Sequence, residues 1–331
     1  DVCSSDLCLG VLDCIGGAGL APPRAGPWPL VPGPWPLAPG PWPLVPGPWP
    51  LVPGPWPLAP GPWSLVPGPG PRVPGPLPPA PGPRALAPGP RGPGGVGGVD
   101  LAGAAGPGPG PREVLGRVRV AGINRGDILK GRGAYPAPQG APADIPGLEF
   151  AGEIAKIGSD VEEWAPGDRV MGILGGGGYA ELAVVPVGQL LPVPSGLSWI
   201  EAGAIPEVFL TAADALFSCG RMGPGDRVLV HTAGGGVGTA ALQLARVAGA
   251  KSVIGTASAG KLAQIRKIGL PLDLGIDRGS DSFADEVNGY TDGAGINVIL
   301  DTVGGSYWED NLTSLSTLGR LVVVGLLGGS N

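Results

Sequence analysis

Near the middle of the chain, a short apolar segment leads into a run of glycines and then into an amphipathic segment. It reads Arg227-Val-Leu-Val-His-Thr-Ala-Gly-Gly-Gly-Val-Gly-Thr239, followed by Ala240-Ala-Leu-Gln-Leu-Ala-Arg-Val-Ala-Gly249. This order of strand, glycine turn and helix is the context that a dinucleotide-binding fingerprint requires. Ala233, Gly235 and Gly238 occupy its three glycine positions. Gly235 would let the backbone approach a pyrophosphate at the helix N-terminus, and Gly238 would let the helix pack closely on its strand.

The residues after the second predicted strand, Ser252–Ala257, favour NADPH over NADH. Folds that bind NAD place an acidic residue at the end of this strand for the ribose 2′-hydroxyl, but residues 227–272 contain no Asp or Glu. Ser258 and Lys261 follow instead, and a hydroxyl donor with a cation suits a 2′-phosphate. Arg278, after the third predicted strand, would add a bidentate contact.

Predicted strands and helices alternate through residues 223–331, which indicates a parallel sheet with right-handed crossovers. Five strands fit before the end of the chain, whereas a complete dinucleotide-binding fold has six. We therefore predict an α/β, Rossmann-type domain that is incomplete. After the second strand, the predicted elements are a helix at Lys261–Gly269, a strand at Leu272–Ile276, a helix at Asp281–Tyr290 capped by Ser280 or Asp281, a strand at Asn297–Asp301, a helix at Tyr307–Leu318 and a strand at Arg320–Gly325.

Residues 112–222 consist of short β-type segments that Gly and Pro interrupt. The segments Gly167–Val170 and Gly223–Arg227 are typical of turns that lead into strands. This composition predicts a small β-barrel domain, with Pro206–Leu216 as a helical link to the nucleotide domain.

Residues 1–111 hold 33 of the 44 prolines, and the unit Pro-Gly-Pro-Trp-Pro-Leu-(Val/Ala) repeats every seven residues from Trp28 to Trp63. Residues 25–71 carry no charge, yet proline removes the backbone donors that a membrane-spanning helix needs. We interpret residues 1–111 as a disordered, low-complexity segment, with a spacer or a ligand of proline-binding domains as the alternative. A third hypothesis is an assembly artefact, because Asp1–Leu7 matches a translated sequencing adapter; sequencing the transcript across this region tests it.

Composition argues against several classes of function. Residues 112–331 carry the whole net charge of −6, whereas a nucleic-acid binder needs a basic face. They contain one histidine, His231, and one cysteine, Cys219, so we expect no Cys/His metal site. His231 ends the first strand of the nucleotide domain and is predicted to be a buried structural residue. A single thiol fits a reducing compartment, and we find no signal peptide, so we predict a cytoplasmic protein without a membrane segment.

Several motifs in residues 112–331 closely resemble the zinc-independent, zeta-crystallin-like quinone oxidoreductases of the medium-chain dehydrogenase/reductase superfamily. The resemblance implies a GroES-like catalytic domain at 112–222 beside a Rossmann domain at 223–331, with bound NADPH and a homo-oligomeric complete protein. Relative to that family, the opening strands before Glu113 and about a quarter of the domain after Asn331 are missing, including the sixth strand. The motifs are Ala121-Gly-Ile-Asn-Arg-Gly-Asp127, Gly133-Ala-Tyr-Pro136, Pro146-Gly-Leu-Glu-Phe-Ala-Gly152, Gly175-Gly-Gly-Gly-Tyr-Ala-Glu181, Ala204-Ile-Pro-Glu-Val-Phe-Leu-Thr-Ala212, the glycine turn and Asp301-Thr-Val-Gly-Gly305.

The resemblance also implies roles for individual residues. Asn124 and Tyr135 match polar positions beside the nicotinamide and the substrate, and Thr211 matches a cofactor contact at the domain junction. The other matching cofactor positions are Gly234, Gly235, Gly236, Val237 and Gly238 at the pyrophosphate, Ser258 and Lys261 at the 2′-phosphate, and Gly325 and Leu326 beside the nicotinamide.

The implied reaction is hydride transfer from NADPH to a quinone-type acceptor without a metal, with Asn124 and the Tyr135 hydroxyl orienting the acceptor oxygen. Little acid catalysis is expected, because solvent can protonate a stabilised hydroquinone anion. Three alternatives stay open. The protein reduces α,β-unsaturated carbonyl compounds, or it is a non-catalytic fragment of such an enzyme, or it is a Pro/Trp-rich interaction protein with a vestigial domain.

Overall fold

The computed structural model describes residues 84–88, 99–103 and 108–329. The tryptophan repeat therefore lies outside the described residues. Two short strands that the sequence did not predict, β1 (Arg84–Pro88) and β2 (Val99–Gly103), pair in antiparallel fashion. Within the described ranges, every helix is too short or too polar to cross a membrane.

An antiparallel sheet forms the first half of the fold. Its strands are β3 (Glu113–Val120), β4 (Glu149–Ile157), β5 (Arg169–Ile173), β6 (Leu182–Pro186) and β7 (Leu190–Pro192). They lie in the order β6-β3-β4-β5-β7. Alternate apolar side chains such as Val114, Phe150 and Val185 point into one core, as expected for a sheet with one buried face. Helix α1 (Arg125–Gly131) connects β3 to β4 and begins directly after Asn124.

Two short helices follow this sheet, α2 (Trp199–Ala202) and α3 (Pro206–Ala213). Helix α3 begins at Pro206, the predicted residue. Proline is favoured at the first helical position because it has no N–H there, where an amide would lack a partner within the helix. The predicted link to Leu216 continues beyond α3 as a π-helical turn, Asp214–Cys219. The antiparallel sheet and the parallel sheet that follows it in the chain belong to one compact unit. Helix α3 contacts β4 and β5 of the antiparallel sheet, and it also contacts the helix Gly236–Val247 of the second half.

The second half is a parallel sheet, as predicted. Its strands are β8 (Arg227–Val230), β9 (Ser252–Ala257), β10 (Leu274–Asp277), β11 (Ile296–Asp301) and β12 (Leu315–Val323), in the order β10-β9-β8-β11-β12. Every strand pair in it is parallel. All six residues of β9 are buried, because helices cover both faces of the sheet.

Four helices connect these strands: α4 (Gly236–Val247), α5 (Ala259–Lys267), α6 (Phe283–Tyr290) and α7 (Trp308–Ser314). Side chains of α4 and α5 pack on one face of the sheet, and those of α6 pack on the other. The fold class is therefore confirmed: a GroES-like antiparallel sheet is joined to a Rossmann-type parallel sheet.

Some element boundaries differ from the predictions. Helix α6 is capped by Ser282 rather than by Ser280 or Asp281, because the Ser282 hydroxyl accepts a hydrogen bond from the Asp285 amide at 3.3 Å. Helix α5 begins two residues before Lys261, with Ser258 as its N-cap residue.

The largest difference is at the last strand. The predicted helix over 307–318 ends at Ser314, and β12 begins at Leu315 instead of Arg320. Pairing with β11 shifts register between Leu315 and Arg320, and Leu318 has a φ of 64°. An irregular strand of this kind lacks strict alternation, so the sequence pattern does not distinguish it from the end of a helix.

Candidate active site

The glycine turn combines a tight position with an open one. A Cβ atom added at Gly238 would lie 2.7 Å from the Cα of Ala233 and would also meet the Thr232 carbonyl oxygen. Only glycine therefore lets α4 come this close to the end of β8. An added Cβ at Gly235, the N-cap residue of α4, would meet only Thr232, at 3.2 Å or more. This combination suits a helix N-terminus whose amides receive a pyrophosphate, so the turn fits a dinucleotide.

Thr232 connects the glycine turn to the loop after β11. Its φ of 50° is uncommon for a β-branched residue, and its hydroxyl lies 2.7 Å from the hydroxyl of Thr302. Gly325 follows β12 and faces Thr302, since an added Cβ would lie 3.2 Å from the Thr302 carbonyl oxygen. Leu326 packs over Gly304 in the same loop. The two residues predicted to lie beside the nicotinamide are thus next to the loop that Thr232 contacts.

Ser258, Lys261 and Arg278 lie around the end of β9. An added Cβ at Gly234 would lie 2.8 Å from Lys261 Cβ and Cδ, so the lysine side chain lies against the glycine turn. The Arg278 amide donates to the carbonyl oxygen of Ala257 at 2.9 Å, directly before Ser258. Lys261 and Arg278 are both exposed. The end of β9 is therefore followed by a hydroxyl group and approached by two basic residues, and it carries no acidic residue. These are the donors that a 2′-phosphate needs.

Arg278 also lines a pocket of about 250 Å³ at the same edge of the sheet. Asp277 contributes to this pocket, but it ends β10 rather than β9, and its carboxylate accepts a hydrogen bond from the Gly279 amide at 3.0 Å. A second cavity of about 400 Å³ lies beside β3 and β6, and none of the predicted site residues lines it.

The two predicted acceptor-side residues lie close to the first turn of α1: Asn124 directly precedes this helix, and the ring of Tyr135, which follows the helix, lies against Gly126. Asn124 donates from its side-chain nitrogen to Glu149 Oε1 at 2.7 Å and from its backbone amide to Asp127 Oδ2 at 3.0 Å. The Tyr135 ring lies beside Gly126, where an added Cβ would be 3.8 Å from a ring carbon. Both side chains are half-buried.

Three acidic residues behind these positions form a carboxylate cluster that the sequence analysis did not identify: Asp127, Glu149 and Glu207. Glu149 is 2% exposed, and its Oε2 accepts a hydrogen bond from the Glu207 amide at 2.9 Å. Asp127 is also buried and accepts from the Gly147 amide at 2.8 Å and from the Tyr179 hydroxyl at 2.9 Å. The sequence did contain one signal for this cluster, because Glu149 is a single acidic residue within the apolar segment Leu148–Ala151.

Burial changes the acidity of this cluster. It raises the pKa of Glu149, although hydrogen bonds from the Glu207 amide and the Asn124 side chain oppose the increase. Burial, with added repulsion from Glu149 and Asp127, raises the pKa of Glu207 to about 7. The pKa of the Tyr179 hydroxyl is also raised, first by burial and then by its hydrogen bond to Asp127. Near neutral pH, a carboxyl group of this cluster therefore retains a proton for part of the time.

Helix α3 connects the carboxylate cluster to the glycine turn. Glu207 lies in its first turn, and the Thr211 hydroxyl donates to the Glu207 carbonyl oxygen at 2.7 Å. Val208, next to Glu207, packs against Gly236, where an added Cβ would be 2.8 Å from Val208 Cγ1. The predicted cofactor contact Thr211 is thus on the helix that joins both halves of the site.

His231 is a structural residue, as predicted. It is fully buried, its Nδ1 lies 2.9 Å from the Thr256 hydroxyl, and its Nε2 lies 2.7 Å from Asn311 Oδ1. Asn311 in turn donates to Asp301 at 3.1 Å. Burial lowers the pKa of His231, so the neutral ring is favoured.

A parallel nucleotide-binding sheet joined through a helix to a GroES-like sheet defines a dehydrogenase/reductase of the two-domain kind. Residues 110–195 match the family described as alcohol dehydrogenase GroES-like domain, and residues 236–331 match the family described as zinc-binding dehydrogenase. The crystal structure of CurK enoyl reductase superposes with a TM-score of 0.65 at 32% identity, covering 74% of each chain. The chain belongs to the medium-chain dehydrogenase/reductase superfamily, whose members use NAD(P)H.

Further relatives differ in their described activities. A Pseudomonas syringae quinone oxidoreductase structure has a TM-score of 0.65 at 30% identity, covering 75% of each chain. A quinone oxidoreductase-like protein 2 homolog of Nematostella vectensis is 38% identical over 222 residues, or 66% of this chain and 60% of that protein. The human synaptic vesicle membrane protein VAT-1 homolog is 35% identical over 223 residues, or 67% and 56%. The chain thus spans somewhat more than half the length of these two curated relatives.

The family description names zinc, but the described residues do not offer a site for it. In the ranges that the structure covers, no three His, Cys, Asp or Glu side chains are arranged to hold a metal ion. Asn124 and the carboxylate cluster are tied to one another by hydrogen bonds instead. We therefore derive no step through a metal.

Proposed function

We propose that this chain is the core of an NADPH-dependent, zinc-independent reductase of the zeta-crystallin-like branch, which transfers a hydride to a quinone-type acceptor. The observation that supports the proposal is the packing of the Lys261 aliphatic chain against Gly234, with Ser258 and Arg278 close by. Homo-oligomerisation and a cytoplasmic location are still predictions.

In this proposal, each part of the site has one task. Ser258, Lys261 and Arg278 bind the 2′-phosphate, and the amides of Gly234–Gly238 receive the pyrophosphate. Thr211 supports the nicotinamide end, together with the backbone at Gly325 and Leu326. The bound dinucleotide supplies a hydride.

On the acceptor side, Asn124 and Tyr135 orient the oxygen of the acceptor. Glu149 uses one of the two amide hydrogens of Asn124, so the amide plane is held in a fixed direction while its second hydrogen is available to a ligand. A donor held in this way favours a near-attack arrangement of a carbonyl acceptor.

The preference for NADPH is tested by fluorescence titration with NADPH and with NADH. Lys261→Ala removes a charge-assisted hydrogen bond, which is worth about 1.5–3 kcal/mol, so we expect the Kd for NADPH to rise about 10- to 100-fold. The Kd for NADH should change little. Lys267→Ala is the matched control, because Lys267 is an exposed lysine in the last turn of the same helix.

Two results would contradict the proposal. An equal loss of affinity for both nucleotides in Lys261→Ala would mean that the lysine does not read the 2′-phosphate. An absence of saturable binding to either nucleotide would favour a non-catalytic fragment.

A second candidate function is the reduction of an α,β-unsaturated ketone, aldehyde or thioester, which uses the same hydride chemistry. The similarity to two enoyl reductase structures, CurK at 32% and JamJ at 30% identity, favours it. Steady-state rates with a quinone and with an enone distinguish the two. A higher kcat/KM with the enone would support the second candidate.

A further inference from the structure

Glu149 and Glu207 are joined by the hydrogen bond from the Glu207 backbone amide to the Glu149 carboxylate, and their carboxyl groups have different hydrogen-bonding environments. Both side-chain oxygens of Glu149 accept hydrogen bonds, one from Asn124 at 2.7 Å and one from the Glu207 amide at 2.9 Å. Among the hydrogen bonds of the described residues, the Glu207 carboxyl group takes part in none. The donors oppose the burial that raises the pKa of Glu149, whereas no hydrogen bond of the described residues stabilises a charge on the Glu207 carboxyl group.

The carboxylates near Glu207 act in the same direction, because they raise its pKa further. Glu149 on β4 and Asp127 in the first turn of α1 both repel a negative charge on the Glu207 carboxyl group. The Tyr179 hydroxyl faces the pair as a donor to Asp127, and Lys130 on α1 interacts with Asp127 while its ammonium group donates to carbonyl oxygens. The protonated form of Glu207 is therefore favoured up to neutral pH.

Glu207 also lies between the two halves of the proposed site. Its neighbour Val208 packs on Gly236 at the start of α4, and its partner Glu149 holds Asn124 on the acceptor side. Glu207 is partly exposed, whereas its neighbour Glu149 is 2% exposed. A general acid must be accessible to the acceptor, and of these two residues only Glu207 keeps some exposure.

We propose that Glu207 donates the proton that completes reduction of the acceptor, with Glu149 held beside it through the Glu207 amide. The inference rests on the proposed function, and it replaces solvent by Glu207 as the proton donor expected from the sequence. A hydride from the reduced dinucleotide carries two electrons to the acceptor and leaves an anionic oxygen, in either a hydroquinone monoanion or an enolate. The O–H bond of Glu207 then breaks, a new O–H bond forms on that oxygen, and the Glu207 carboxylate regains a proton from water.

The state of the pair is measured first, on the full chain without nucleotide or acceptor. We expect infrared difference spectra to show a protonated carboxyl band that disappears with a midpoint near pH 7, and Glu207→Gln should lack it. The control Glu162→Gln, an exposed glutamate, should keep it. A wild-type spectrum with no carboxyl band titrating above about pH 6 overturns the inference.

The transfer itself is measured in steady-state kinetics with the better of the quinone and the enone. Glu207→Gln should lower kcat at least about tenfold, remove the decline of kcat above pH 7 and leave the Kd for NADPH within about twofold. Glu207→Asp, which keeps an acid one methylene shorter, should restore part of kcat. Nucleotide binding also shows that each variant is folded.

The outcomes separate the inference from the proposed function. If the wild type reduces an acceptor and Glu207→Gln keeps its kcat and pH profile, the proton transfer is refuted while the reductase function stands. If the wild type reduces neither acceptor although its carboxyl band titrates near pH 7, the proposed function and the transfer that depends on it both fail.

Discussion

At the residue scale, the candidate site depends on a few positions where only one kind of side chain fits. Gly238 lacks a Cβ because the backbone of Thr232 and Ala233 occupies that space. Lys261 acts differently, since its aliphatic chain lies on Gly234 and the residue is exposed. Close backbone packing brings the helix N-terminal amides within reach of a phosphate group, and a nearby lysine adds a positive charge.

Gly238→Ala is expected to destabilise the fold, because an added methyl group has no space and α4 must shift. We expect the free energy of unfolding to fall by about 1–3 kcal/mol and NADPH affinity to fall with it. Gly260→Ala in α5 is the matched control, since nothing lies within 4 Å of its added Cβ. Alanine is the better helix former by up to about 1 kcal/mol, so this control should be neutral or stabilising. Equal stability of both variants in denaturant unfolding would contradict the tight packing.

At the element scale, α3 connects the antiparallel half to the parallel half. The Glu149 carboxylate on β4 accepts a hydrogen bond from the first turn of α3. Val208 packs against Gly236 in the parallel half, and the Thr211 hydroxyl donates to the Glu207 carbonyl oxygen within α3. A buried carboxylate is a suitable partner for a helix N-terminus, because the free amides there carry partial positive charge. The first turn of α3 therefore depends on a residue 58 positions earlier in the chain.

Glu149→Gln should loosen the start of α3. The glutamine side chain has one acceptor oxygen for the two donors, the Asn124 side chain and the Glu207 amide, and its NH₂ group would face the other donor. We therefore expect a loss of about 1–3 kcal/mol in local stability. Hydrogen exchange should show a faster-exchanging Glu207 amide. Glu153→Gln on the same strand is the control, because the Glu153 ion pair with Arg119 is largely exposed and worth at most about 1 kcal/mol. Unchanged exchange at Glu207 would show that Glu149 does not hold the helix.

At the scale of the whole molecule, the partly buried Glu207 and the fully buried His231 give stability opposite dependences on pH. Glu207 has a folded pKa of about 7, above the usual value of 4.5, so the folded state binds more protons and stability falls as pH rises between these values. His231 has a folded pKa below 6.5, so its contribution is lost as pH falls below that value. The two pH ranges overlap below pH 6.5, so the two groups oppose each other there, and only Glu207 acts between pH 6.5 and 7.

Glu207→Gln should therefore gain stability relative to the wild type as pH rises from 5 to 7 and then show a constant difference. The slope of this difference is limited to about 1.4 kcal/mol per pH unit for one titrating group. Denaturant unfolding at a series of pH values measures it, with Glu162→Gln expected to run parallel to the wild type. A difference between Glu207→Gln and the wild type that is the same at pH 5 and pH 8 would show that Glu207 titrates normally.

Much of the fold was predictable because its signals are local. The glycine turn, the apolar strands and the absence of an acid after Ala257 are each visible within a few residues of sequence, and the parallel sheet and the GroES-like sheet are both as predicted. The late part of the chain was less predictable, because the irregular strand from Leu315 lacks alternation. The roles of Asn124, Tyr135 and the nucleotide-binding residues are still predictions.

The amino-acid sequence alone determined the class of fold and the position of the glycine turn, since strand and helix periodicity and the steric freedom of glycine act over short distances. Only the tertiary structure decided that Glu149 and Glu207 lie together, that Asn124 is tied to one of them, and that Lys261 covers Gly234. The physical reason is that the acidity of a carboxyl group depends on burial and on neighbouring charges. Chain folding brings these neighbours together from distant positions.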